Sequence, residues 1–251
     1  ITYPMDTLFG ALMIAVIIVA CWRLTGPALP IVCLCFFAYN FLGPYMPSIF
    51  AHQGFSLSRA IGTIFLSTEG VFGTALGVSA TFIAVFILLG QFIEESGAGR
   101  FFIDFSYSLF GRVRGGPAKV AVLASSLFGT FSGSAIANVT GTGTFTIPLM
   151  KETGFEPEFA GAVEAVASSG GQFMPPIMAS VAFVISEVLG IPYMQVALHA
   201  LLPALVYYFA LFVAVDLRSA KLGLKGVSKD QLPQMKIVLK SGVHLFLPII
   251  V

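Results

Sequence analysis

Residues 118–150 read AKVAVLASSLFGTFSGSAIANVTGTGTFTIPLM, and these 33 residues decide the fold. A helix crossing a hydrocarbon layer about 30 Å thick needs about 20 mostly apolar residues. The stretch is therefore too long for one untilted crossing and too short for two. Its middle is crowded with Ser, Gly, Thr and Asn, which favour turns and broken helix. The pattern predicts a re-entrant hairpin, two half-depth helices meeting at a polar tip of Ser132, Gly133 and Ser134. The next stretch, 158–189, is long enough to cross but is interrupted by SSGGQFMPP at 168–176. Two glycines and two prolines there disfavour continuous helix by several kcal/mol in sum. Unwound chain at membrane depth is tolerated only where it lines protein or a water-filled cavity.

The rest of the sequence agrees with a membrane setting. Of 251 residues, 57% are apolar before counting 26 glycines, and 10% are charged, against about 25% in a typical soluble domain. So few charges cannot clothe a water-facing surface, and the mean hydropathy of +0.94 points to lipid. The fold class expected is an all-α polytopic membrane protein. Further spans are read at 8–22 (extended by 3–7), from Pro27 to about 50, at 75–93 and at 193–215. Phe-rich residues 101–114 are expected to lie at the cytoplasmic interface rather than to extend the span at 75–93, and 55–72 along the outer surface. The chain starts at Ile1 without a methionine and stops at Val251 inside an apolar run, so an internal piece of a longer membrane protein is expected.

Several function classes are excluded. A net charge of +1 with dispersed Lys and Arg rules out nucleic-acid binding. Cys21, Cys33 and Cys35 have no metal-ligand or redox spacing and read as buried small hydrophobes. A membrane-embedded enzyme is the alternative of a different class, but His52, His199 and His244 are far apart and no HExxH or nucleophile elbow is present. An ion channel is the second alternative, and no TVGYG-like filter is found. No nucleotide loop or cofactor motif occurs.

Loop charge tests the hairpin. With Arg23 placed in the cytoplasm, Arg59 falls outside, while Arg100, Arg112, Arg114 and Lys119 fall inside. If 118–150 dips in and returns, Lys151 and the loop of Arg218, Lys221, Lys225, Lys229, Lys236 and Lys240 are inside as well. That puts 12 of 13 basic residues in the cytoplasm; a full crossing would put the six-charge loop outside, against the positive-inside tendency.

The tip, with Asn138, Thr140, Thr142 and Thr144 behind it, supplies hydroxyls, an amide and open carbonyls, and the 168–176 break supplies a second set at similar depth. Hard oxygen ligands suit small cations, and exposed half-helix N-termini suit an anionic substrate. Two broken segments in succession favour a transport site over close helix packing alone.

The run SLFGTFSGSAIANVTGTGTFTIPLMKETGFEPEFAGAVEAVASSGGQFMPP resembles the large permease subunit of tripartite ATP-independent periplasmic (TRAP) transporters. Thr68-Glu69-Gly70, GRVRGGPAKVAV at 111–122 and Glu164 resemble its TAXI branch, in which small and large membrane subunits are often fused. The resemblance implies that 1–26 is the last helix of the small-subunit-like region and 27–251 the N-terminal part of the large permease domain. It implies the first half of an inverted-repeat elevator transporter in a bacterial or archaeal cytoplasmic (inner) membrane. Such a permease imports a small organic acid delivered by an extracytoplasmic substrate-binding protein and is driven by an ion gradient. Carried over by position, the cation site uses Ser132, Gly133 and Ser134 with carbonyls at Gly171, Met174 and Pro176. Asn138, Thr140, Ser168, Ser169 and Gly170 are the candidates for substrate contact.

Glu164 departs from the family pattern, since many sodium-coupled relatives have a neutral residue there, and it leaves Na+ or H+ as the coupling ion. It follows Glu158 by six residues, about 9 Å along a helix rising 1.5 Å per residue, and so falls inside the apolar layer. An ionisable residue at that depth is functional by default. Glu164 is read as coupling transport to protons or supplying charge beside a sodium site; the alternative is a carboxylate reaching back to interfacial water or capping a neighbouring helix.

Overall fold

Glycine and proline set where each apolar run starts and stops. The computed structural model describes residues 3–228 and 232–246, without the side chains of Glu94, His244 and Phe246. Lys229, the histidine side chain at 244 and the last five residues of the terminal apolar run thus lie outside the described residues. The chain forms two compact units, one ending at Val78 and one beginning at Ser79.

In the first unit, α1 (Pro4–Thr25) begins on a proline and stops at Gly26, whose φ of +82° lies in the left-handed region. Helix α2 (Ala28–Leu42) ends in a 3-10 turn, Gly43–Tyr45, built on Pro44. The Ser56 side chain accepts the Arg59 N–H and starts α3 (Leu57–Leu66). Gly10 lets α3 approach α1, with Ile61 buried in the contact. Leu8, Leu12 and Val16 on α1 and Ile31, Val32 and Phe36 on α2 are exposed, a surface that suits hydrocarbon rather than water. The expectation of buried cysteines is corrected here: Cys33 and Cys35 are exposed on α2 and Cys21 is half-buried, because these helices turn their apolar side chains outward.

Helix α4 (Thr74–Val78) is followed by a π-helical turn, Ser79–Ile83, which opens the second unit and leads into α5 (Ala84–Glu95). Among the described residues four helices are long and apolar enough to cross a membrane, Pro4–Thr25, Ala28–Tyr45, Thr74–Ile93 and Tyr193–Lys221, at the spans read from the sequence. Gly97, at φ +86°, then separates α6 (Ala98–Phe110) from α5. The Phe-rich stretch is thus a helix of its own, as expected. Its apolar face, however, is taken up by protein: Phe101 and Phe102 are buried with Phe128, Phe131 and Val238.

The hairpin is α7 (Gly116–Ser132) and α8 (Ala135–Glu152). Arms of 17 and 18 residues are about 25 and 27 Å long at 1.5 Å per residue, longer than the half-depth helices expected. Helix α7 has 14 of its 17 residues buried and is the centre of the unit. Around it pack α6, α8, α9 (Pro157–Gly170) and α11 (Tyr193–Lys221). The core is small on the α7 side, with Ala118, Ala121 and Val122 against Met150, Val163, Ala167, Tyr208 and Val215. Between α9 and α10 (Val181–Leu189) the chain is unwound, as the 168–176 signal requires. Helix α12 (Met235–Gly242) packs on α6. Ion pairs fix the base: Asp216 on α11 binds Arg114 and, at 2.6 Å, Lys119, and Arg218 binds Glu156 at 2.6 Å.

Candidate functional site: a hairpin tip packed on a broken helix

The tip is three residues wide. Gly133 takes φ +55°, closing α7, and the Ser134 side chain accepts the Ala137 N–H at 3.3 Å, opening α8. The Ser132 hydroxyl reaches the Ser134 carbonyl at 3.4 Å. Gly133 is also a close approach: a β-carbon there would stand 2.0 Å from the Met178 carbonyl oxygen. One turn back, a β-carbon on Gly129 would stand 2.5 Å from Gly171 Cα. The Thr130 carbonyl accepts the Ile177 N–H at 3.2 Å. Hairpin and break therefore meet backbone to backbone.

The break disposes of its polar backbone in a definite way. The carbonyls of Ser168, Ser169 and Gly170 accept turn bonds from Gly171, Gln172 and Phe173, and the Gln172 carbonyl accepts the Ala179 N–H. Three tyrosines of α11 supply the rest. Tyr207 donates to the Val166 carbonyl at 2.7 Å and Tyr208 to Ala167 at 2.9 Å. Tyr193 donates to Pro176 at 2.8 Å and also to Ile177.

The expected cation ligands are thus divided. A cavity of about 190 Å³ at the tip is lined by Ser132, Gly133 and Ser134 with Met178, Ala179 and Ser180 from the break. Gly171 lies a turn lower, against Gly129 and the Asn138 amide, and Pro176 presents its carbonyl to Tyr193. A second cavity, about 280 Å³, opens on the other side of the tip, between Ser132, Ser134 and the Phe86–Gln91 side of α5.

Glu164 is fully buried, one turn before the break, and four hydroxyls surround it. Ser125 of α7 donates to Oε1 at 2.9 Å, Thr142 of α8 to Oε1 at 2.5 Å and Ser168 of its own helix to Oε1 at 3.1 Å. Thr146 of α8 donates to Oε2 at 2.5 Å. This burial does not suit a carboxylate reaching back to interfacial water. The carboxyl instead joins both hairpin arms to α9, and Gly143 leaves the room for it.

Of the candidate substrate contacts, Asn138 is buried and donates to the Ser125 carbonyl at 2.8 Å, and Ser168 belongs to the Glu164 cradle. Thr140 and Ser169 are exposed and bond their own helix carbonyls, and Gly170 is buried beneath Tyr207 and Tyr208. His199 likewise bonds the Gln195 carbonyl of its own helix. The sequence reading missed Ser125 and Thr146 as Glu164 partners and all three tyrosines. A signal existed for the cradle: Thr142 and Thr146, like Glu164 and Ser168, stand at i and i+4, on one helix face. Among the described residues no cluster of three or more His, Cys, Asp or Glu could hold a metal.

Comparison with known proteins matches this sequence to transport components. The family model described as tripartite ATP-independent periplasmic transporter, DctM component, matches residues 11–251. The chain is 32% identical over 134 residues to the C4-dicarboxylate TRAP transporter large permease protein DctM of Pseudomonas aeruginosa, covering 51% of this chain and 31% of that protein. It is 28% identical over 167 residues to the sialic acid TRAP transporter large permease protein SiaM of Vibrio cholerae, covering 66% and 39%. It is 29% identical over 171 residues to the isethionate TRAP transporter permease protein DctMQ of Oleidesulfovibrio alaskensis, covering 67% and 27%. The chain spans less than half the length of each of these relatives.

Proposed function

The chain belongs to the DctM component family of tripartite ATP-independent periplasmic transporters, and on that premise we propose that it forms part of a secondary transporter permease. That permease is a multi-pass protein of the cytoplasmic (inner) membrane, and it imports a small organic acid handed over by an extracytoplasmic substrate-binding protein. An ion gradient drives it. The observation that carries this reading is the backbone contact between the hairpin and the broken helix, Gly129 on Gly171 and Gly133 on Met178. Two interrupted helices at one depth present polar backbone to each other without a continuous helix to satisfy it, the arrangement expected of an ion-coupled site.

Within this reading the coupling cation sits at the junction. Ser132 and Ser134 offer hydroxyls, the tip at Gly133 offers backbone, and Gly171 and Met174 offer backbone carbonyls. Such neutral oxygen donors suit a hard monovalent ion such as Na+. Glu164 supplies the second coupling element, either as the proton carrier or as the charge behind the cation. Asn138 and Ser168 link the two sets and are the substrate-side candidates that stand nearest to Glu164 and the Gly129–Gly171 contact. The finer assignment also stands as a proposal: the first half of an inverted-repeat elevator of TAXI type, with a small-subunit-like region ending near residue 26. Its support is the resemblance at 68–70, 111–122 and Glu164; the family match itself already begins at residue 11, inside α1.

The test is uptake into vesicles by the intact transporter with its binding protein, scanned over small organic acids under imposed Na+ or proton gradients. Ser132→Ala and Ser134→Ala are expected to raise the half-saturating ion concentration several-fold. Unchanged ion dependence in both leaves the contact as packing only.

A further inference from the structure

Loop charge puts 12 of the 13 basic residues in the cytoplasm and leaves Arg59 outside. Arg59 lies in the first turn of α3, and it is exposed. The chain before it is stitched to the last turns of α2. Tyr39 donates to the Phe50 carbonyl at 2.6 Å, the His52 ring bonds the Tyr39 carbonyl at 3.1 Å, and the Phe55 N–H is donated to the Asn40 carbonyl at 2.9 Å. These bonds bring the start of α3 beside Asn40. A cavity of about 180 Å³ remains there, lined by Asn40, Phe55, Arg59, Ala60, Thr63 and Ile64.

The Arg59 guanidinium sits over the Phe55 ring, 5.3 Å from its centroid. Among the described residues no carboxylate forms an ion pair with it. The surface around it is apolar: Phe50, Phe55 and Leu57 are exposed. Phe36 and Val32, one and two turns before Asn40 on the same face of α2, are exposed as well. A guanidinium at such a boundary is costly without an anion. Its planar fork matches phosphate, with two parallel bonds to one group. Phospholipid headgroups supply that anion at the depth to which a long basic side chain reaches from an apolar surface.

We propose that this notch between α2 and α3 binds the phosphate of an outer-leaflet phospholipid. Arg59 holds the phosphate oxygens, Phe55 steadies the guanidinium, and Asn40 and Thr63 form the polar part of the wall. The cavity takes the phosphate and the glycerol carbons beside it, and the acyl chains run along the exposed stripe of Phe36 and Val32. A soluble organic acid offers a carboxylate to the same guanidinium but leaves that apolar stripe uncovered, which favours the lipid. The bound lipid ties α3 to the end of α2. The proposal rests on the membrane setting and on the placement of Arg59 outside, and it is independent of the cation reading of the hairpin and the break.

The test uses the intact transporter, purified in detergent, stripped of lipid and titrated with dioleoyl phosphatidylglycerol under native mass spectrometry. Two variants remove the site in different ways. Arg59→Gln takes away the charge at an exposed position, and Ala60→Leu fills the cavity while keeping the charge. Wild type is expected to retain one more phosphatidylglycerol per chain than either variant. Its apparent Kd for that lipid should be about tenfold lower, the effect of one hydrogen bond to a charged group. Equal retention in wild type and either variant overturns the proposal. Thermal melting separates the sources of the anion. Phosphatidylglycerol should raise the wild-type melting temperature more than it raises that of the variants. Dioleoylglycerol, with the same chains and no phosphate, should not reproduce the difference; if it does, the phosphate contact is wrong. If inorganic phosphate or a small dicarboxylate reproduces it in full, the notch is a site for free anions and the lipid assignment is overturned.

Discussion

Thr146 donates its hydroxyl to Oε2 of Glu164 at 2.5 Å, and the same hydroxyl lies 3.1 Å from the Thr142 carbonyl one turn earlier in α8. A hydroxyl has one proton, so Thr146 serves either the carboxylate or its own helix. Thr142 has the same choice between Glu164 Oε1 and the Asn138 carbonyl at 2.8 Å. The cradle can thus hold a charged carboxylate, which accepts these bonds, or a neutral carboxyl, which donates one while the threonines turn back to the helix. No main-chain rearrangement is needed for either.

Glu164→Gln should therefore fold. The amide fits the same volume, and Thr146 can turn to the Thr142 carbonyl. If Glu164 carries the proton, accumulation driven by a gradient collapses in this variant, while exchange of labelled for unlabelled substrate, which needs no net proton movement, survives. Normal accumulation with unchanged pH and sodium dependence would make Glu164 a structural tie between the hairpin and α9.

The contact between Gly129 and Gly171 leaves no room for a side chain. A β-carbon on Gly171 would stand 2.7 Å from Gly129 Cα, so Gly171→Val must push the hairpin and the break apart. Overpacking of this kind costs typically about 1–3 kcal/mol, and more where backbone has to move. Thermal melting of the purified protein should fall accordingly, and ion-dependent uptake should be lost. Gly161→Ala, within α9 with nothing within 4 Å of the new carbon, is the control and should be neutral or stabilising. Equal melting temperatures for the two variants would contradict the close approach.

Tyr208 is buried, and its phenol is the partner of the Ala167 carbonyl. Tyr208→Phe leaves that acceptor unpaired, a cost of about 1–3 kcal/mol. Tyr207→Phe should cost less, because the Val166 bond is exposed to the surroundings. The ordering of the two melting temperatures checks the assignment.

Topology gives an independent prediction. Lys119 is unsuitable as a labelling position, because it is buried and paired with Asp216. Arg112, just before α7, and Lys151, at the end of α8, are exposed. Single cysteines at these two positions, in a background without the native cysteines, should react with an impermeant reagent from the same, cytoplasmic face. Reaction from opposite faces would remove the hairpin reading and the loop-charge argument together.

The helical frame was legible because its punctuation is local. Gly26 with Pro27, Gly97, the 132–134 tip and the glycines and prolines of 168–176 each act within a few residues, and each ends or interrupts a helix in the structure. Glu164 was legible too, since an acid in an apolar run stands out. What surrounds it was not. Ser125, Thr142 and Thr146 come to the carboxyl from 39, 22 and 18 residues away, through a hairpin whose rotation is set by packing. The tyrosines are a stronger case. Tyr207 and Tyr208 lie 41 residues from the carbonyls they satisfy, and along the chain they look like ordinary members of an apolar span. The cysteines failed for the converse reason: apolar surroundings in sequence do not mean burial when a helix faces lipid.

The central claim is that hairpin and broken helix form an ion-coupled transport site, and accumulation in sealed vesicles tests it most directly. The intact transporter, with its binding protein loaded with a labelled small organic acid, is given an inward Na+ or proton gradient and no ATP. The account predicts that substrate accumulates above its external concentration under at least one of these gradients. It also predicts that Ser134→Ala shifts the ion dependence of that accumulation. Equilibration without accumulation under either gradient, or accumulation indifferent to the ion and to Ser134→Ala, would contradict it.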